Sequence, residues 1–206
     1  KLKNYAQFEP YIQALKQGQT NYIGINILKI LNVKKIINWN GNWESLSTKE
    51  SLAPLNRIFF IDSLSNYSKD EELLIAMNSN QFNSKKLSYT KSNLPKFQKS
   101  ILNSKAIIKK WTPNKIIIET DLENDNFVGL SEIYYPNWKI TSHDIDIIQI
   151  NGLLRGFVAP KGKNTIIMEF NYNDVKYASL ISLISFFIML LSSLSTCLLT
   201  IKKNYE

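Results

Sequence analysis

The side chains able to do acid–base or metal chemistry are few in this chain, and most fall in one stretch. His143 is the sole histidine and sits beside Asp144 and Asp146, with Glu132 a little upstream. A His/Asp/Asp set could hold a metal ion, but this one reads as part of a hairpin turn, and its spacing fits neither a zinc nor a calcium pattern. Glu132, Asp144 and Asp146 could supply the carboxylate pair of a glycoside hydrolase. That chemistry needs two acids at a set separation across the scissile bond, and no hydrolase motif surrounds them. A Ser-His-Asp triad would have to use His143, and the chain has no Gly-x-Ser-x-Gly turn to present the serine. Cys197 is the single cysteine, so no intrachain disulfide forms. No catalytic residue, metal or cofactor is expected within this chain.

The elements that must position these residues change character along the chain. Residues 1–32 read as mostly helical, with Ile27, Ile30 and Leu31 on one face. Val33–Ile37 reads as a strand, 38–56 as a loop, and Arg57–Ile61 as a second strand of β-branched and aromatic residues. Asp70–Met77 reads as a short helix with acids in its first turn, where they suit the helix dipole. Residues 78–104 are polar and read as a linker with a short strand around Leu87–Tyr89. From there the period becomes two. Strands are predicted at Ala106–Trp111, Lys115–Asp121, Phe127–Tyr135, Trp138–Thr141, Ile145–Ile150, Leu153–Ala159 and Thr165–Tyr172. In the last, Ile166, Met168, Phe170 and Tyr172 share a face. Asn151-Gly152 is a strong two-residue hairpin signal. Many short strands at regular spacing argue for an antiparallel sandwich.

The chain ends differently. Residues 178–201 read ASLISLISFFIMLLSSLSTCLLTI, without a charge. About 20 apolar residues in a helix cross a bilayer's hydrocarbon core. Ser182, Ser185, Ser192, Ser193, Thr196 and Thr200 recur at helical spacing and form a stripe. Two accounts of the stripe stand open. It packs against further membrane helices, as small and hydroxylated residues allow, or its hydroxyls bond to carbonyls of their own helix.

The fold class expected is therefore α+β. A small α/β N-terminal piece with a polar linker (1–100) precedes an antiparallel, jelly-roll-like β-sandwich (101–174), followed by one transmembrane helix with a short basic tail (175–206). The formal charge is +8, yet the lysines are scattered and only Arg57 and Arg155 are arginine. No nucleic-acid-binding signature appears, and nucleic acid is not an expected partner. Lys202 and Lys203 favour a cytoplasmic tail and an extracytoplasmic soluble domain at the cell membrane. That placement calls for further membrane spans or a signal ahead of Lys1, consistent with a chain that does not start at Met. The partners expected are the lipid bilayer and upstream transmembrane helices of the same protein.

Two runs carry a resemblance. Gly129-Leu130-Ser131-Glu132-Ile133-Tyr134-Tyr135-Pro136-Asn137-Trp138-Lys139 is followed by Leu154-Arg155-Gly156-Phe157-Val158-Ala159-Pro160-Lys161-Gly162-Lys163-Asn164-Thr165, an aromatic strand and an apolar helix. Together they resemble the C-terminal region of the bacterial YfhO family of multi-pass membrane proteins, with its "SE-x-YYPGW" and "LRG-x-x-x-PAGKHT" segments. Asn32–Ile37 and Leu55–Ile61 resemble two earlier family segments, and the likeness covers about residues 20–195. Asn137 stands where the family has Gly, a swap that left-handed turn conformations tolerate. Lys35 replaces an aromatic, Asn164 a His, and the turn at His143-Asp144 departs from the family pattern.

The resemblance implies a GT-C-like glycosyltransferase that uses a polyprenyl-phosphate sugar to modify envelope polymers. Its catalytic carboxylate would lie on an early external loop outside this chain, so this fragment is not expected to be catalytic alone. The motif residues are Glu132, Tyr134, Tyr135, Pro136, Trp138, Arg155 and Gly156. In a functional account, Tyr135 and Trp138 form an aromatic platform for a sugar while Glu132 and Arg155 bond hydroxyls or a phosphate, on an envelope glycopolymer or lipid-linked sugar. In a structural account, Trp138 and Tyr134 are core, Glu132 pairs with Arg155 across strands, and Pro136-Asn137, Gly156 and Gly162 serve turns and packing. The structural account is favoured. The competing function is a non-enzymatic, membrane-anchored carbohydrate-binding or scaffolding module.

Overall fold

The computed structural model describes residues 6–17, 19, 21–33, 36–39, 43–46 and 54–205. The chain divides into two compact units, Lys1–Glu169 and Phe170–Glu206.

In the first unit, period-two patterning produces two four-stranded sheets. One runs β10 (Ile148–Ile150), β11 (Leu154–Ala159), β8 (Asn126–Ile133), β3 (Ile58–Ile61), and the other β6 (Lys105–Thr112), β7 (Lys115–Leu122), β12 (Gly162–Phe170), β9 (Trp138–Ile140). Ile116, Ile118, Val128, Leu130, Phe157, Ile166 and Met168 fill the space between them. The mixed α+β class and the sandwich are as expected. Of the face read from Thr165–Tyr172, Ile166 and Met168 are buried, Phe170 is half-buried and Tyr172 lies past the strand's end, exposed.

The sheet containing β8 has a second covered face. Helices α1 (Glu9–Lys16), α2 (Tyr22–Ile30) and α3 (Asp70–Met77) lay Phe8, Ile12, Ile27, Leu73 and Met77 over Phe59, Phe127 and Leu154. Strands buried on both faces lose their alternation, and β8 is buried from Asn126 through Ser131. Two side-chain amides, the half-buried Asn21 and the buried Asn26, brace the helices. Asn21 caps α2 by accepting from the Gly24 N–H, and the Asn26 side chain donates to the carbonyls of Met77 and Ser79 at 2.9 and 2.7 Å, closing the end of α3.

Several local expectations change. The sequence puts a boundary near residue 100, yet β3 pairs with β8, so the N-terminal stretch supplies a strand of the sandwich itself. The loop read over 38–56 contains β2 (Trp43–Leu46), which pairs antiparallel with β1 (Ile36–Trp39); residues 47–53 lie outside the described ones. Ile145–Ile150 shortens to β10, because 141–144 bend and 145–147 have no regular structure.

The polar stretch 78–104 is not a linker. It carries β5 (Ser88–Thr90), which pairs in parallel with β4 (Leu64–Asn66), and it buries Ser84, Ser88 and Thr90. Its polarity is spent on the tip of the β10–β11 hairpin. There Asn151 and Gly152 take φ of 50° and 68°, and the Leu153 N–H closes the turn onto the Ile150 carbonyl. These are the two left-handed positions that an Asn-Gly hairpin turn supplies. Asn151 is fully buried. Its Nδ2 donates to Ser84 Oγ at 2.8 Å and Ser88 Oγ at 3.0 Å, and its Oδ1 accepts from the Tyr89 N–H at 2.9 Å. Asn151→Ala removes three side-chain hydrogen bonds, leaving the Tyr89 N–H without its acceptor, and forces alanine into a left-handed conformation. We expect a loss of about 3 kcal/mol, read by chemical denaturation of the full chain in detergent.

The second unit is α4 (Asn173–Tyr205), a single helix. Lys176–Leu194 within it is long and apolar enough to cross a membrane, with mean hydropathy 2.0. Ser185 Oγ donates to the Ile181 carbonyl and Ser192 Oγ to the Met189 carbonyl. These two hydroxyls of the stripe therefore turn back onto their own helix. Ser182 is exposed, and the side chain of Thr196 lies outside those described.

Candidate functional site

The motif residues meet because β8 breaks register. Leu130 faces Arg155, but the next ladder pair is Ile133 with Leu154, so Ser131 and Glu132 form a bulge. The bulge reaches sideways to the entry of β3: Ser131 donates its N–H to the Arg57 carbonyl at 2.9 Å and its Oγ to the Asn56 carbonyl at 3.0 Å. Arg57 is thereby held beside Glu132. The chain's only two arginines both converge on this one carboxylate, Arg57 Nη1 at 3.5 Å and Arg155 Nη2 at 3.7 Å. Each guanidinium lies over an indole: Arg57 over Trp111 at 4.4 Å and Arg155 over Trp138 at 4.2 Å from the ring centre. The result is a row, Trp111, Arg57, Glu132, Arg155, Trp138, lodged at one end of the sandwich.

The row passes from water to core. Side-chain exposure falls from 57% at Arg57 to 28% at Glu132 and 2% at Arg155. Arg155 Nε and Nη1 have no hydrogen-bond partner. Burial raises the Glu132 carboxyl above its ordinary value although Arg155 and Arg57 both pull it down. Burial likewise lowers the Arg155 guanidinium to about 10 against the pull of Glu132. For both members, desolvation outweighs mutual attraction, as buried ion pairs often show.

The turn that delivers Trp138 runs Tyr135-Pro136-Asn137-Trp138 and is closed by the Trp138 N–H on the Tyr135 carbonyl at 3.1 Å. Asn137 does not take a positive φ, so the left-handed allowance invoked for the Gly-to-Asn difference is unused. Trp138 is half-buried against the inter-sheet core, and the indole face under Arg155 is closed to a sugar. Tyr134 is half-buried, while Tyr135 and Trp111 are exposed. Glu132 and Arg155 thus pair across strands as the structural account expects, with Trp138 beside them, but Trp138 and Tyr134 are half-buried rather than core. Gly162 opens β12 at the turn after β11.

Gly156 packs on the opposite face of β11. It stands directly across from Gly129 on β8. A Cβ at Gly129 would lie 2.8 Å from the Phe59 ring, and one at Gly156 would lie 2.4 Å from Phe127 Cε1. The two glycines make room for two buried rings on the helix-facing side.

Sequence reasoning missed Arg57 and Trp111 as members of the site. The available signal was the rarity of arginine: in a chain rich in lysine, each arginine marks a place that needs a planar cation able to stack. His143, Asp144 and Asp146 do not join the row. They line a separate cleft of about 830 Å³ with Asp125, Leu94 and Ile147. Among the described residues no group of His, Cys, Asp or Glu has the geometry to hold a metal. Comparison of the chain with protein-family models, curated proteins and solved structures finds no match.

Proposed function

We propose that this chain is the extracytoplasmic C-terminal module of a YfhO-like membrane protein, a polyprenyl-phosphate-sugar-dependent glycosyltransferase that modifies cell-envelope polymers. One observation carries the reading. Glu132, Trp138 and Arg155, which come from two separate motif segments, form one cluster, with Arg155 paired to Glu132 and stacked over Trp138. The helix Lys176–Leu194, long and apolar enough to span a bilayer, follows in the place where the family has its last span. In this reading the catalytic carboxylate belongs to membrane helices outside residues 1–206. The sandwich covers that core or engages the acceptor, and the Lys202-Lys203 tail is cytoplasmic.

The test is the reading frame upstream of Lys1, together with the envelope sugar content of cells lacking the gene. About ten or more apolar spans with an acidic first external loop, and a glycan lost on deletion, support the transferase. A simple signal peptide directly upstream leaves no catalytic core, and the reading fails. The exposed rings of Trp111 and Tyr135 then favour the second reading, a membrane-anchored carbohydrate-binding or scaffolding module. Sidedness is read separately. A sandwich shielded from external protease once the outer envelope is opened would contradict the extracytoplasmic placement.

A further inference from the structure

Of the two ends of the sandwich, one leads into the apolar helix. Near the end of β12, Glu169 faces Lys115, and Lys115 in turn faces Thr112 across the β6–β7 turn. Trp111 stands next to Thr112 and opens the row that runs through Arg57, Glu132 and Arg155 to Trp138. Just past Glu132, β8 ends at Ile133 and the chain enters the turn closed by Tyr135 and Trp138. Trp111, Ile133 and Tyr135 are all exposed. Among the described residues before Phe170, Trp111 and Tyr135 are the only exposed aromatic side chains, and both lie at this end. Exposed Lys110 and Lys139 flank them, while the acids Glu132 and Glu169 are already engaged by Arg57 and Lys115.

Chain length brings a bilayer to this end. β12 finishes at Phe170, and only Asn171 and Tyr172 precede α4. Extended chain up to Asn173 and helical rise from there to Lys176 span at most about 20 Å. Lys176 opens the stretch long and apolar enough to cross a membrane. Exposed Tyr172 and Tyr177 flank it, and the Lys176 ammonium lies over the Tyr172 ring at 4.4 Å. Aromatic and basic side chains of this kind mark the level of the headgroups, a layer about 5 to 8 Å deep on each side. The Phe170 end is thus tethered within reach of that layer whatever the orientation of either unit. Rings with an apolar body and a polar edge favour such a layer, and ammonium groups meet lipid phosphates there.

We propose that Trp111, Ile133 and Tyr135 form an interfacial anchor, which seats the Phe170 end of the sandwich in the headgroup layer of the membrane that α4 spans. This rests on the reading that α4 is inserted in a bilayer. It assigns the two exposed rings to lipid rather than to a sugar, and Lys110 and Lys139 to lipid phosphate.

The test uses the full chain with Cys197→Ser, one copy per nanodisc of phosphatidylcholine and phosphatidylglycerol. It is spin-labelled at Ile133→Cys, at Lys163→Cys near the Gly162 end, or at Ile184→Cys in the helix. Each label is probed with a water-soluble nickel chelate and with oxygen, which concentrates among the acyl chains. The expected result is a residue-133 label shielded from nickel and open to oxygen, with residue 163 open to nickel. Trp111→Ser together with Tyr135→Ser should lower the docked-to-undocked ratio at residue 133 on the order of tenfold. Circular dichroism checks that this variant stays folded, and the other arms stand without it. A residue-133 label open to nickel, with residue 184 shielded, overturns the anchor while leaving the helix inserted. A residue-133 label shut to both probes marks a protein contact and overturns it. Equal shielding at 133 and 163, or a docked ratio indifferent to the loss of both rings, also overturns it. A residue-184 label open to nickel refutes the inserted helix itself.

Discussion

Gly156→Ala should be among the most damaging single-methyl changes in this protein, costing about 3 kcal/mol and lowering the melting temperature by roughly 10 °C. The added Cβ meets Phe127 Cε1 at 2.4 Å, Phe127 Cζ at 2.9 Å and the Val128 carbonyl oxygen at 2.9 Å. None of these can retreat cheaply. Phe127 is completely buried beneath the helices, and Val128 is held in the ladder between β8 and both its neighbours. Backbone conformation plays no part, since Gly156 has no positive φ. The clash account makes two further demands on thermal unfolding of the full chain in detergent. Gly129→Ala, with its nearest ring atoms at 2.8 Å, should cost less than Gly156→Ala. Shrinking Phe127 to Leu in the Gly156→Ala background should recover part of the loss. Equal stability of Gly156→Ala and wild type would remove the packing explanation.

The second large effect has the opposite sign. Arg155→Met together with Glu132→Met is expected to stabilise the fold by about 1 to 3 kcal/mol, as apolar replacement of both members of a buried ion pair often does. Methionine keeps much of the volume over Trp138 and removes a buried charge whose Nε and Nη1 lack partners. Arg155→Met alone leaves Glu132 with only the exposed Arg57 and some water, so the single change costs stability that the double change does not.

The pH dependence follows from the same balance. The folded state raises the Glu132 carboxyl above its unfolded value, so the folded state binds that proton more tightly. The stability contributed by Glu132 is complete below the unfolded pKa and is lost as pH rises through the folded one. Glu132→Gln should erase that dependence and be no less stable than wild type at neutral pH. Denaturant titrations across the acid range decide the matter. A loss above about 1 kcal/mol in the double variant would show instead that the pair holds the sandwich together. If the gain is seen, the row is retained at a cost in stability, as expected of residues kept for function.

Legibility in the sequence followed the range of the forces involved. Asp70–Met77 was readable to the residue because acids in the first turn and an apolar run act locally. The seven strands after residue 105 were readable because alternation and turn residues are also local signals. The row at Glu132 was only half readable. A motif brought Glu132, Trp138 and Arg155 to notice, but the bulge that gathers them with Arg57 and Trp111 is a property of three strands at once. The stretch 78–104 misled for a related reason. Ser84, Ser88 and Thr90 look like solvated loop residues until Asn151 and Gln149, far along the chain, supply their partners.

The buried hairpin tip also bears on how this protein ages. Asn-Gly is a dipeptide prone to deamidation, because the glycine N–H can reach the asparagine side chain with little hindrance. At Asn151 that approach is shut off in the native state: Nδ2 and Oδ1 are both held, and the residue has no exposure. The amide becomes reactive only in molecules whose β10–β11 tip has opened, so the lesion records past opening. The product is a carboxylate in a site built for an amide donor to Ser84 and Ser88, which hinders reclosing. Spontaneous chemistry at one peptide bond thus becomes a ratchet that removes loosened copies and spares intact ones.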